Sequence, residues 1–292
     1  MIEKEPQIFY KLYPYDHWLN KANMLKFKID SGSTAYDDIG VYAHESNDER
    51  YQRMLKYELH FTYFQQVEAI FELLFALQNL DDKHIWIYLS QANGRENYSK
   101  IKSISEGELD LDEQKVHLTN GKTRSFLEWA FYAGNNHQMH NDELRESINK
   151  SNRLLKQAAT DFVDRESYNS YKHGLRVLPL LDEVGRNDPR IAQKFNERDF
   201  ANSFTYLENN NKRLSEVTVT YDSNQDMERI SFLSHLVMNM ITMRRVQFYK
   251  EDIMSFTRFS KMDPVEKINA SHQKIKHIDT IGIRYNKPPS SQ

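Results

Sequence analysis

The segment from Asp161 to Val177, DFVDRESYNSYKHGLRV, gathers the residues of this chain best suited to chemistry. Arg165, Asn169 and His173 stand four residues apart in turn, and Lys172 follows Arg165 by seven. On a helix, at about 100° per residue, the first three fan over only about 80° of surface, with Lys172 on the same side. Gly174 would end that helix in a left-handed conformation, and Arg176 adds a cation just beyond it. One face then carries fixed positive charge, an amide and an imidazole, which suits a polyanion. A plainer reading pairs Arg165 with Asp161 or Glu166 and leaves His173 as a helix-end residue beside Gly174.

A partner element is needed to hold such a helix. The pattern Leu55, Leu59, Tyr63, Val67, Ile70, Leu74 and Leu77 predicts a long helix from about 48 to 80, with Ser46, Asn47 or Asp48 as its cap. Phe64, Phe71, Leu73 and Phe75 lie on its other faces, so it is expected to be buried on most sides. Glu68 and Glu72 stand one turn apart on this apolar helix, and buried acids need partners. Arg165, Lys172 or Arg176 would serve if the two helices pack together, making Glu68 and Glu72 supporting residues of the same site.

Other candidates are weaker. His137 and His140, with Asp142 and Glu143, are spaced for a shared metal ion, but Gly134-Asn135-Asn136 marks a loop and no metal signature is present. Arg244, Arg245 and Lys250 could extend a basic patch or simply complement a helix end. His235 lies among Leu233, Leu236 and Val237 and is expected to be a hydrogen-bonded core or edge histidine. No phosphate loop, dinucleotide fingerprint or hydrolase elbow occurs, and no motif calls for a cofactor or metal.

The formal net charge of -3 excludes a protein that coats nucleic acid by bulk charge, so any such binding must use a local patch. Cysteine is absent, which removes disulfides, thiolate metal sites and cysteine nucleophiles and fits a reducing compartment. The first residues show no signal-peptide pattern, and no segment reaches the roughly 20 apolar residues of a membrane span. The expectation is a cytoplasmic protein without a membrane segment.

Only 9 glycines and 7 prolines among 292 residues favour long helices. Residues 1–46 read as an irregular arm with a short strand near Met24–Ile29, residues 47–285 as one helical domain, and 286–292 as a disordered tail. A small β excursion is expected over 82–122: a strand at His84–Leu89, weak alternation at 98–104, and Lys115–Thr119 ending in Asn120-Gly121. Helices resume at 123–134 and from Leu144, the latter either running into the Arg165 helix or breaking near Ala159. Ser203–Leu207 and Glu216–Tyr221 alternate as a strand pair. A helix capped by Asp226 should run to about Tyr249, and a last helix should cover 264–276. The fold class is mainly α (α+β).

Buried helices joined to a helix ending in Asn-x-x-Lys-His-Gly resemble the HEPN superfamily of bacterial defence and toxin proteins. Arg165, Asn169, Lys172 and His173, within YNSYKHG, carry the likeness. A group of bacterial proteins with a Tyr-Asn-x-x-Lys-His-Gly-x-Arg segment is similar over 168–176. Seven residues separate Arg165 from His173, more than the family usually has, and Glu166 stands where the family favours Asn, Asp or His. The resemblance implies a HEPN-like helical bundle and metal-independent RNA cleavage. In it His173 moves a proton, Arg165 steadies the scissile phosphate, Asn169 orients one of them, and Lys172 and Arg176 hold phosphates. It further implies a homodimer and a partner antitoxin or defence protein. The reading from another class is a non-catalytic module that docks a protein or nucleotide through the same basic face.

Overall fold

The computed structural model describes residues 8–34, 37, 48–79, 84–118, 121–132, 141–173, 176–179, 202–210, 213–251, 256–259, 261–271 and 276–279. The chain is mainly helical with a few short antiparallel strands. It divides into two compact units, one of residues 1–23, 62–164 and 227–272, the other of 24–61, 165–226 and 273–292. Among the described residues no helix is long and apolar enough to cross a membrane.

In the first unit the core is helical. It takes in α1 (Ile8–Leu12), the first part of α2 (His17–Asp30), the C-terminal half of α3 (Asp48–Leu77), α4 (Ile85–Ser90), α5 (Gly94–Glu106), α6 (Phe126–Tyr132), α7 (Asn141–Val163), most of α9 (Ser223–Tyr249) and α10 (Pro264–Ser271). The apolar stripe expected on α3 is buried, as are Phe64, Phe71, Leu73 and Phe75 on its other faces. Polar contacts fix the helices in register: Gln66 Nε2 donates to the Ile230 carbonyl at 3.1 Å and to Ser234 Oγ at 2.7 Å. On α9, Ile230, Leu233, Val237 and Ile241 are buried as expected.

Helix boundaries follow local chemistry. The Asn93 side chain accepts the Arg95 backbone N–H at 3.0 Å, and Gly107 ends α5 with φ of 76°. Asn93→Ala should cost about 1 kcal/mol, read by denaturant unfolding, because the cap acceptor is lost. Gly121, with φ of 79°, closes the hairpin between β1 (Lys115–His117) and β2 (Thr123–Ser125), as the Asn-Gly dipeptide predicts.

Two expected strands are helices instead. Ile85–Ser90 form α4, with His84 as its N-cap, and in it Ile85 is buried while Trp86 and Ile87 are exposed. A helix satisfies its backbone locally, as in the Gln91 N–H to Ile87 carbonyl bond of 3.1 Å, so an apolar run can fold without a strand partner. The weak alternation at 98–104 lies in α5, where Ile101 and Ile104 are buried at i, i+3 spacing. Near the N-terminus, Met24–Ile29 belongs to α2, with Ala22 and Leu25 buried and Met24 and Phe27 exposed. Helices α1 and α2 therefore occupy part of the stretch expected to be irregular.

The second unit is built on a four-stranded antiparallel sheet in the order β3 (Val177–Pro179), β4 (Ser203–Asn210), β5 (Arg213–Thr220), β6 (Lys276–Asp279). The central pair runs from Ser203↔Thr220 to Asn210↔Arg213, so the alternation seen in the sequence marks a true hairpin. Phe204, Tyr206, Val217 and Val219 are buried, as are Leu55, Leu59 and Phe61 from the N-terminal half of α3. Strand β6 lies partly where a helix to 276 was expected; α10 ends at Ser271. The expected caps Ser46 and Asn47 and the tail 286–292 fall outside the described residues.

Candidate functional site

The segment carrying the predicted site folds as a short helix, α8 (Glu166–Lys172), preceded by a break at Asp164 and Arg165. Arg165 occupies the N-cap with φ −96° and ψ 14°, and His173 the C-cap with φ −93° and ψ 42°. Of the four residues Asn169 and Lys172 are helical, while the Asn169 N–H donates to the Arg165 carbonyl at 2.8 Å and the His173 N–H to the Asn169 carbonyl at 3.0 Å, so both caps keep the four-residue hydrogen-bond pattern. With a rise of about 1.5 Å per residue, the two caps lie on the order of 12 Å apart along the chain. Helix α7 neither continues into this segment nor breaks at Ala159, but runs to Val163.

Two tyrosines of the segment pack. Tyr168 and Tyr171, at i, i+3, lie on one side of α8, and Tyr168 is only 2 % exposed. Their ring centroids stand 6.4 and 4.2 Å from that of Phe61, which meets Phe204 at 5.2 Å. The Tyr171 hydroxyl donates to the Glu58 carboxylate; burial first, then this bond to an anion, pushes its pKa well above the ordinary tyrosine value. Sequence reasoning weighted the Asn, Lys and His of YNSYKHG, whereas its tyrosines position the helix. Their i, i+3 spacing was the available signal.

At the C-terminal end of α8, Lys172, His173 and Arg176 are exposed. Lys172 Nζ lies 5.2 Å from the Tyr168 ring centroid, a cation–π contact. The His173 N–H donates to the Asn169 carbonyl at 3.0 Å, and the Arg176 N–H to the Ser170 carbonyl at 2.9 Å. These bonds, with the pairing of Val177 to Tyr206, hold both ends of the turn that displays the cations. The half-buried Asn169 side chain makes no hydrogen bond among the described residues, so nothing there ties it to His173. Gly174 itself falls outside the described residues.

Among the other candidates, Glu68 and Glu72 are half-buried on α3. Burial first, then the Glu72 charge, pushes the Tyr13 hydroxyl up to about 12. Asp161 accepts hydrogen bonds from Tyr63 Oη at 2.8 Å and Gln157 at 3.0 Å, with Arg229 at 3.8 Å. Arg244 does not extend a basic patch: it is fully buried, its guanidinium 3.8 Å from the Trp129 ring centroid and bonded to the Trp129 carbonyl. Arg245 pairs with Glu251 at 2.7 Å, and Lys250 Nζ donates to the Gln247 carbonyl at 3.1 Å. His235 is half-buried, which lowers its pKa, and its Nδ1 has no hydrogen-bond partner among the described residues, contrary to expectation. His137 and His140 fall outside the described residues, within which no three His, Asp or Glu could hold a metal ion.

One buried pair escaped the sequence. His60 Nδ1 lies 2.8 Å from Asp226 Oδ2, both side chains being at most 2 % exposed. The imidazole stacks on Tyr221 at 5.3 Å and approaches Phe204 at 5.8 Å. Asp226 was expected to cap α9, but Asp222 does so, accepting from the backbone of Asn224 at 2.7 Å and Gln225 at 3.0 Å. No family model, no curated protein and no solved structure matches this chain, so the chemistry of the site must be argued from its own residues.

Proposed function

We propose that the chain binds RNA through the exposed turn that ends α8, with Lys172 and Arg176 on backbone phosphates and His173 beside them. The observation that carries this reading is the exposure of three basic residues at one end of a helix that Tyr168 and Tyr171 pack against Phe61. A cationic cluster on a rigid support fits a chain of net charge -3, which can attract phosphate only locally.

Binding is favoured over cleavage. HEPN-type chemistry requires Arg165 and His173 to meet on one phosphate, yet they sit at opposite caps of α8. A second copy would have to bring another Arg165 up to His173, the homodimer that the resemblance implies. A defence or toxin role with an antitoxin partner belongs to the same resemblance.

The test is fluorescence anisotropy of a single-stranded RNA over a range of salt. Two phosphate contacts give a slope of log K against log salt of about −1.4, and Lys172→Glu with Arg176→Glu should abolish it and weaken binding at least about tenfold. Unchanged affinity in the folded double variant would contradict the proposal. Binding of an acidic protein in place of RNA would favour the docking module.

A further inference from the structure

Two Asn-Gly dipeptides occur in this chain, Asn93-Gly94 and Asn120-Gly121. Such a pair is where an asparagine side chain can react with its own backbone, because glycine has no side chain to block approach to its nitrogen. The glycine nitrogen gives its proton to hydroxide and attacks the asparagine Cγ, forming an N–Cγ bond. The Cγ–Nδ2 bond breaks, ammonia leaves, and a five-membered imide remains. Water then opens the imide at either carbonyl, to aspartate or to isoaspartate, whose backbone runs through Cγ.

The fold treats the two pairs differently. Asn93 is the N-cap of α5, and residues 91–96 around it are all exposed. The Gly94 N–H, the first amide of α5, makes no hydrogen bond among the described residues. Attack requires the Asn93 Cα–C bond to turn from its ψ of 112° until the Gly94 nitrogen meets Cγ, which gives up the 3.0 Å cap bond from the Arg95 N–H. Gly121 is tied more firmly. Its N–H donates to the Leu118 carbonyl at 3.0 Å, and the Leu118 N–H to the Lys122 carbonyl at 2.9 Å. Both bonds belong to a hairpin whose Val116 and Arg124 are buried. The Gly121 nitrogen is freed when that hairpin opens, whereas the end turn of a helix frays at little cost.

We propose that Asn93 is the residue at which the folded chain deamidates, ahead of Asn120. The conversion adds one negative charge at the start of α5. An aspartate there still caps the helix, and its charge suits the helix N-terminus. An isoaspartate adds a methylene to the backbone and displaces the cap acceptor, so the first turn of α5 loosens.

The test holds the full chain, folded or in urea, in mildly alkaline buffer and follows brief tryptic digests by mass spectrometry. The two pairs fall in separate peptides, residues 84–95 and 116–122. In the folded chain, 84–95 should convert to its acid form about fivefold faster than 116–122, the factor set by one more hydrogen bond to break in the hairpin. In urea the two should convert at similar rates. Gly94→Ala should slow 84–95 several-fold in the folded chain, because the methyl crowds the nitrogen; a Cβ there meets no atom within 4 Å, so the variant should fold. The proposal is overturned if 84–95 keeps its mass as the folded chain ages, if 116–122 converts as fast, or if Gly94→Ala leaves the rate unchanged. None of these outcomes depends on RNA binding.

Discussion

Phe61→Ala is expected to cost about 4 kcal/mol and to remove RNA binding with it. Phe61 is fully buried, and its ring meets those of Tyr171, Phe204, Tyr57 and Tyr168 at 4.2, 5.2, 6.3 and 6.4 Å. Truncation loses the transfer energy of a large apolar group, leaves a cavity and forfeits the aromatic pairings. The second consequence concerns α8. A helix of seven residues has no independent stability in water, since nucleation outweighs the few bonds it closes. Its order rests on Tyr168 and Tyr171 packing on Phe61, so the turn carrying Lys172, His173 and Arg176 should lose its fixed form. Denaturant unfolding reads the first effect and RNA anisotropy below the transition reads the second. A loss under about 1 kcal/mol, or full RNA affinity in the variant, would remove Phe61 from its place as the anchor.

Asp226→Ala should be nearly as damaging, at about 3 kcal/mol, because it leaves the imidazole of His60 facing a void where its hydrogen-bond partner stood. Asp226→Asn, which keeps the shape and a hydrogen-bonding oxygen, should cost clearly less. His60→Ala should cost about as much as Asp226→Ala, and the double variant less than the sum of the two, since each single change already breaks the shared bond. Additive losses in this cycle, measured by urea unfolding, would show that the two side chains are energetically independent.

Periodic signals in the sequence carried through to the fold. The seven-position stripe of α3, the alternation of β4 and β5, and the inward positions of α9 each repeat a local geometric rule, so one short window contains the information. Short apolar runs did not carry through. His84–Leu89 and Met24–Ile29 contain residues suited to either a strand or a helix, and the choice between them depends on packing partners elsewhere in the chain. At the site, the basic residue types were legible but their arrangement was not. The sequence left open whether the helix before this segment runs into it, and the chain breaks at Asp164 and Arg165, so Arg165 and His173 become the caps of a seven-residue helix. His60 and Asp226 are 166 residues apart, a contact that no local pattern encodes. Arg244 shows the opposite trap: charge in a last helical turn reads as surface, yet Trp129 offers a ring face and a carbonyl that make its burial tolerable.

The most direct measurement incubates wild type, Lys172→Glu with Arg176→Glu, Arg165→Ala and His173→Ala with a mixed RNA pool in EDTA. Each sample is then run on a native gel to read binding and on a denaturing gel to read cleavage. The expected result is RNA retained intact by the wild type and released by the Lys172/Arg176 double variant. Metal-free cutting by the wild type that disappears in both Arg165→Ala and His173→Ala would contradict a binding-only site and restore the nuclease, while RNA left unbound by the folded wild type would contradict RNA recognition altogether.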